Sequence, residues 1–172
     1  MERLWAPWRM KYIRELAKIK KPKGCIFCDA RDSKNDRDKL VLYRGDSAFI
    51  LLNLFPYNTG HIMVAPYRHV ASLEKLEITE VTEIFSLIKL SVRLLKNTYS
   101  PEGFNIGVNI GRVSGAGVED HIHVHIVPRW CGDTNFMPII SNTKVIPEAL
   151  YDTYDELRRS LHEVISLEKN RC

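Results

Sequence analysis

The chain has 172 residues, of which 45% are hydrophobic and 27% charged, with a formal net charge of +4. That length and balance suit one soluble globular domain with a proper core. No run of ~18 apolar residues exists, which excludes a membrane-spanning helix, and residues 1–8 lack the apolar centre of a secretory signal.

A cytoplasmic protein with no membrane partner is therefore expected. In a reducing compartment the C-x-x-C of Cys25 and Cys28 reads as a metal or redox site before a structural disulfide. Cys131 and Cys172 stand singly. Basic residues gather at Arg9, Lys11, Arg14, Lys18, Lys20, Lys21 and Lys23. They read as a solvated face, so no nucleic-acid partner is expected, and the mild positive field suits an anionic small molecule.

Taken in order, residues 1–13 hold Trp5, Pro7, Trp8 and Tyr12, an aromatic cluster that docks on the body of the domain or on a second subunit. Residues 9–19 are expected to form a short helix, stopped by the Lys-Lys-Pro-Lys-Gly run at 20–24. After the cysteine pair, residues 29–39 are almost wholly charged or small and are expected to be an exposed loop. Leu40–Tyr43 and Ala48–Leu52, separated by Arg44-Gly45-Asp46, predict a hairpin. The turn-rich stretch Asn53–Gly60 leads to a third strand, His61–Ala65. Residues 73–98 carry apolar positions at threes and fours, with glutamates early and Arg93 and Lys96 late, and predict a long helix. Phe104–Ile110 predicts a fourth strand, and Gly111–Gly117 a glycine-studded loop. A last helix is expected over 147–168, opened by Pro147. Hairpin strands with one long inserted helix and a C-terminal helix give an α+β fold on an antiparallel sheet.

The stretch His121-Ile122-His123-Val124-His125-Ile126-Val127 holds three of the six histidines at every second position. Alternation with β-branched residues predicts a strand whose one face carries a row of imidazoles. Three readings follow: satisfied rings in a polar groove, ligands of a metal, or a histidine nucleophile with a neighbouring proton donor. The preceding Gly115-Ala116-Gly117 lets backbone amides approach an anion closely. Phosphate and imidazole can then share one site, which favours attack on phosphorus.

His121-x-His123-x-His125-Ile126-Val127 resembles the signature of the histidine triad (HIT) superfamily of nucleotide hydrolases and transferases. Asn53-x-x-Pro56 with Gly60-His61, then Pro66-x-x-His69, and Asn109-x-Gly111 are similar to other parts of the family pattern. The runs Leu-Trp-Ala-Pro-Trp-Arg-Met, Gly-Ala-Gly-Val and Pro-Arg-Trp-x-Gly-Asp-Thr-Asn-Phe resemble the bacterial and archaeal branch, whose members include diadenosine tetraphosphate phosphorylases.

The resemblance implies a HIT-like fold over residues 25–130, preceded by an arm over 1–24 and followed by an extension over 131–172 within the same globular unit. It implies a homodimer and an adenine nucleotide substrate. Catalysis would rest on His123 as nucleophile, His125 as a group serving the phosphate, and His121. Nucleotide binding would use Asn53 on the ribose, with Leu54 and His61, and then Asn109, Ser114, Gly115, Ala116, Gly117 and His125 around the phosphates. Many family members carry a glutamine six residues before the nucleophile. Here Gly117 stands there, and Ser114 is expected to supply a side-chain donor instead.

The resemblance also extends to metal. Cys25, Cys28, His69 and His121 would form a Cys2His2 tetrahedron around a structural zinc ion, with no organic cofactor. The expected activity is cleavage of dinucleoside polyphosphates through a nucleotidyl-histidine. The alternatives are hydrolysis of nucleoside phosphoramidates and a non-enzymatic nucleotide-binding regulatory module.

Overall fold

Five strands form one antiparallel sheet in the order β1-β2-β3-β5-β4. They are β1 Val41–Arg44, β2 Ala48–Leu52, β3 Ile62–Pro66, β4 Gly103–Val108 and β5 Val124–Arg129. The structure is a computed structural model that describes residues 24–134, 146 and 148–169. The aromatic cluster of the N-terminal arm, the helix expected over 9–19, Pro147 and Cys172 lie outside the described residues.

β2 and β3 are continuous apolar runs and are buried along their whole length, as strands covered on both faces must be. One face packs on the helices α2, Ile78–Tyr99, and α3, Leu150–Lys169. Leu42, Ile50, Leu52, Ile62, Val64, Val124 and Ile126 meet Ile84, Leu94 and Leu95 of α2 and Leu157 and Leu161 of α3. The other face carries Val41, Phe49, Leu51, Met63 and Ala65 and is covered by Phe27 and Ala30. Met63 pairs with His125 across β3 and β5, so this second face is the histidine face.

Three expectations are corrected. Residues 29–39 are not all loop: Ile26–Asp32 is a helix, α1. Its apolar pair Phe27 and Ala30 lies three residues apart and sits under the sheet. Its last carbonyls are satisfied by Arg44 of β1, which donates to Ala30 O at 2.8 Å, Arg31 O at 3.0 Å and Ser33 O at 3.1 Å. The long helix does not begin at residue 73. Leu73–Lys75 is a separate 3-10 turn, and α2 starts after Glu77, whose amide donates to the Glu80 carboxylate at 2.9 Å. The histidine strand also starts late, at Val124. Just before it, the Ile122 amide donates instead to Val70 O at 2.7 Å.

Glu83 of α2 ties the β1–β2 turn to the helix layer. Its carboxylate accepts the Asp46 amide at 2.6 Å, and also the Ser47 amide and hydroxyl. Burial works to raise its pKa, yet these donors hold it below the usual carboxylate value. A Cβ at Gly45 would come within 2.1 Å of Glu83 Oε1, which explains the glycine. Glu83→Ala is expected to cost about 2–3 kcal/mol, read from the urea unfolding midpoint.

Candidate active site

Two clusters share the histidine face. In the first, one ligand atom each from Cys25, Cys28, His69 and His121 lies within 4.8 Å of every other, an arrangement able to hold a metal ion. Cys25 precedes α1 and Cys28 lies in its first turn, so the C-x-x-C spacing turns both sulfurs the same way. His69 follows β3 and His121 precedes β5, neighbouring strands. Cys25 Sγ is 3.3 Å from His121 Nδ1, and Cys28 Sγ is 3.3 Å from His69 Nδ1.

The two imidazoles approach through Nδ1, at 3.3 Å from each other. His121 Nε2 sits 2.8 Å from Pro66 O. A carbonyl only accepts, so Nε2 carries the proton and Nδ1 keeps its lone pair toward the sulfurs. Burial brings the His121 pKa down to about 4, with the Pro66 carbonyl opposing, so the ring is neutral at pH 7. Two cysteine sulfurs and two imidazole Nδ1 atoms converging in this way fit a tetrahedral N/S-ligated metal.

The second cluster is His61, His123 and His125. His123 Nδ1 donates to the carbonyl of His121 at 2.8 Å, which leaves Nε2 unprotonated. Burial, opposed by that carbonyl bond, lowers its pKa, so the lone pair persists near pH 7. His61 lies against His125, Nε2 to Nδ1 at 3.0 Å. The Tyr57 amide donates to His61 Nδ1 at 3.0 Å, with the Asn53 amide nitrogen 3.3 Å from the same atom. His61 therefore carries its proton on Nε2 and gives it to His125 Nδ1, so the His125 proton resides on Nε2. A backbone amide thus sets two tautomers in succession. The outcome is one ring with an open lone pair beside one with an N–H, His123 and His125, their centroids 4.8 Å apart. That pairing can attack an electrophile and protonate a leaving group.

Burial is the first cause that brings His61 down to about 3 and His125 to about 4, from an ordinary 6.5, with neighbouring imidazoles adding to it. Because the folded values are depressed, the unfolded chain takes up protons first. The stabilisation is complete above pH 6.5 and is lost as pH falls toward 4 and then 3. Each ring is expected to contribute a slope on the order of 1 kcal/mol per pH unit. Thermal midpoints between pH 7 and 4.5 should fall less steeply in His61→Asn; an unchanged slope would place the acid sensitivity elsewhere.

The remaining predicted residues lie around this face. Asn53 Oδ1 accepts the Phe55 amide at 2.9 Å, so this side chain shapes its own loop, while the Asn53 backbone N–H donates to His61 O at 2.9 Å. Leu54 is 59% exposed. β4 pairs with β5, with Gly107 opposite His125 and Val108 opposite Val124, and then runs into Asn109 and the glycine loop. Val118, just after Gly117, packs on the Phe27 cluster and anchors that loop over the histidine face. Gly111 and Gly115 hold φ of 74° and 90°, which glycine adopts without strain. The Ser114 hydroxyl donates to Gly111 O at 2.7 Å, so its proton is used inside the loop.

Sequence reasoning missed Tyr57, whose ring also stands 4.5 Å from that of His61, and the Pro66 carbonyl. Backbone groups leave no signal in residue type.

A five-stranded antiparallel sheet carrying this histidine row defines the class, and the chain belongs to the HIT domain family, which matches residues 34–131. Over 158 residues it is 42% identical to the AP-4-A phosphorylase of Mycobacterium tuberculosis, spanning 89% of this chain and 80% of that one. It is 35% identical over 93 residues to the asymmetrical bis(5'-nucleosyl)-tetraphosphatase of Schizosaccharomyces pombe, spanning 54% of this chain and 50% of that one. Among solved structures, a zinc-bound histidine triad family protein from Mycobacterium smegmatis shares the fold. Its TM-score is 0.66 at 22% identity, over 84% of this chain and 97% of that one. Among the described residues, no helix is long and apolar enough to cross a membrane.

Proposed function

We propose that this protein is an enzyme that cleaves dinucleoside polyphosphates, with diadenosine tetraphosphate the leading substrate, through a nucleotidyl-histidine intermediate. The observation that carries the reading is the tautomer pair, a lone pair on His123 Nε2 beside a proton on His125 Nε2. The likeness to the Mycobacterium tuberculosis phosphorylase supports the substrate class.

In this reading His123 Nε2 attacks the α-phosphorus, forming a P–N bond as the bridging P–O bond breaks. The leaving nucleotide takes the proton from His125 Nε2. An oxygen of inorganic phosphate or water then attacks phosphorus, giving its proton back to His125 Nε2, breaks the P–N bond and returns His123 to its neutral form. Asn53 and Leu54 hold the nucleoside, and the buried His61 stands behind them and sets the His125 proton. Asn109 and the backbone amides of Ala116 and Gly117 hold phosphate oxygens, while Ser114 and the Gly115 amide, bonded to Gly111 O and Arg112 O, shape the loop.

Cys25, Cys28, His69 and His121 hold zinc, whose part when bound is to balance the thiolate charge and fix the start of β5. The protein acts as a homodimer. Among the described residues β4 lies at a sheet edge and carries exposed Ile106, with exposed Ile110 just beyond it, which supports pairing with a second copy. Sedimentation of the purified protein at twice the chain mass would agree.

The deciding assay incubates the protein with diadenosine tetraphosphate, with and without inorganic phosphate. ADP and ATP formed only with phosphate identify a phosphorylase; AMP and ATP identify a hydrolase. No cleavage under either condition would refute the reading.

A further inference from the structure

The residue between the two cysteines touches both histidine clusters. Phe27 is 1% exposed, and its ring centroid is 5.0 Å from that of His121 and 4.7 Å from that of His123. Among the described residues, the His123 ring meets the His121 carbonyl through its Nδ1–H, the His125 ring at an edge and the Phe27 ring at a 35° tilt. The first and third lead back to the Cys2His2 group. His121 belongs to that group outright. Phe27 rides on α1, whose N-terminal end is held where Cys25 and Cys28 meet His121 and His69.

We infer that Phe27 is a positioning residue that couples the Cys25–Cys28–His69–His121 metal centre to the orientation of His123. The inference rests on the reading of His123 as the nucleophile. With the four ligands drawn together, α1 is seated and the Phe27 ring presses on His123, leaving Nε2 one direction in which to point. Without the ion, α1 keeps its anchor at Arg44 but loses the other, and the phenyl face retreats from the imidazole. Attack on phosphorus depends steeply on alignment, and a misplacement of about 1 Å can cost on the order of a hundredfold in rate.

Phe27→Leu keeps an apolar side chain but removes the flat ring, and single-turnover formation of the nucleotidyl-enzyme from diadenosine tetraphosphate is followed by mass spectrometry. The expected result is a fall in that rate and in kcat of roughly 10- to 100-fold. KM should stay within about twofold and bound metal, measured with a chromogenic chelator, at the wild-type level. Chelator-stripped wild type should fall at least as far, because stripping also frees His121. Stripping Phe27→Leu should cost less than stripping wild type, because the two changes share one connection.

Fall in rate that multiplies on stripping, an unchanged rate in Phe27→Leu, a change confined to KM, or loss of metal from the variant would each overturn the inference. Phe27→Met replaces Phe27→Leu if the latter does not fold, with the same criteria. Absence of turnover in untreated wild type would refute the reading of the reaction itself, a result separate from any of these.

Discussion

Replacing His123 with alanine is expected to lower turnover of diadenosine tetraphosphate by roughly a thousandfold or more. Nucleotide affinity should change only a few-fold. The ring is buried, its Nδ1 proton is committed to the His121 carbonyl, and Nε2 is the atom left with a lone pair. Removing it takes away the atom that bonds to phosphorus and leaves the loops around it in place. His125→Ala should differ in kind. It removes the proton donor, so substrates with a good leaving group such as p-nitrophenyl phosphate esters of AMP should suffer far less than diadenosine tetraphosphate. Equilibrium binding by calorimetry and product formation by chromatography separate these outcomes. Full activity in His123→Ala would eliminate the covalent route.

Loss of the metal site is the second large effect. Cys28→Ser, or exhaustive chelation, is expected to destabilise the fold by about 3–5 kcal/mol, which for a chain of this size lowers the thermal midpoint by roughly 10 °C. The site joins α1, the segment after β3 and the start of β5, so its loss frees three pieces of chain at once. His69 is exposed while His121 is fully buried. His69→Ala should therefore be milder, because water can take the vacated position. Metal analysis of the purified protein is the direct check. Well under one zinc per chain, with Cys25→Ala leaving the melting temperature unchanged, would remove zinc from the account.

The row of three histidines was legible from its period of two and its β-branched partners, and β2 and β3 from their apolar runs. The α1 helix was not, because Asp29, Arg31 and Asp32 read as a solvated loop until Arg44 reaches back to their segment's carbonyls. The late start of β5 was hidden for the same reason. Ile122 bonds to Val70, a partner 52 residues away that no local pattern announces. Cys25, Cys28, His69 and His121 were singled out as residues, but their closeness depends on the adjacency of β3 and β5, which are separated in the chain by all of α2 and β4.

Residue types and spacing were enough to predict an α+β sheet protein with histidines at every second position, a glycine loop before them and a cysteine pair; the two histidines that complete the pair came with the family resemblance. The sheet and the loop follow from rules that act within a few residues: side-chain alternation along a strand, and the conformational freedom of glycine. Which nitrogen of each imidazole carries the proton was settled by folding alone. The proton sits on the nitrogen that faces an acceptor and leaves the one that faces a donor: the Pro66 and His121 carbonyls accept, and the Tyr57 amide donates. Three chemically identical side chains acquire different work because long-range closure of the chain gives each a different neighbour.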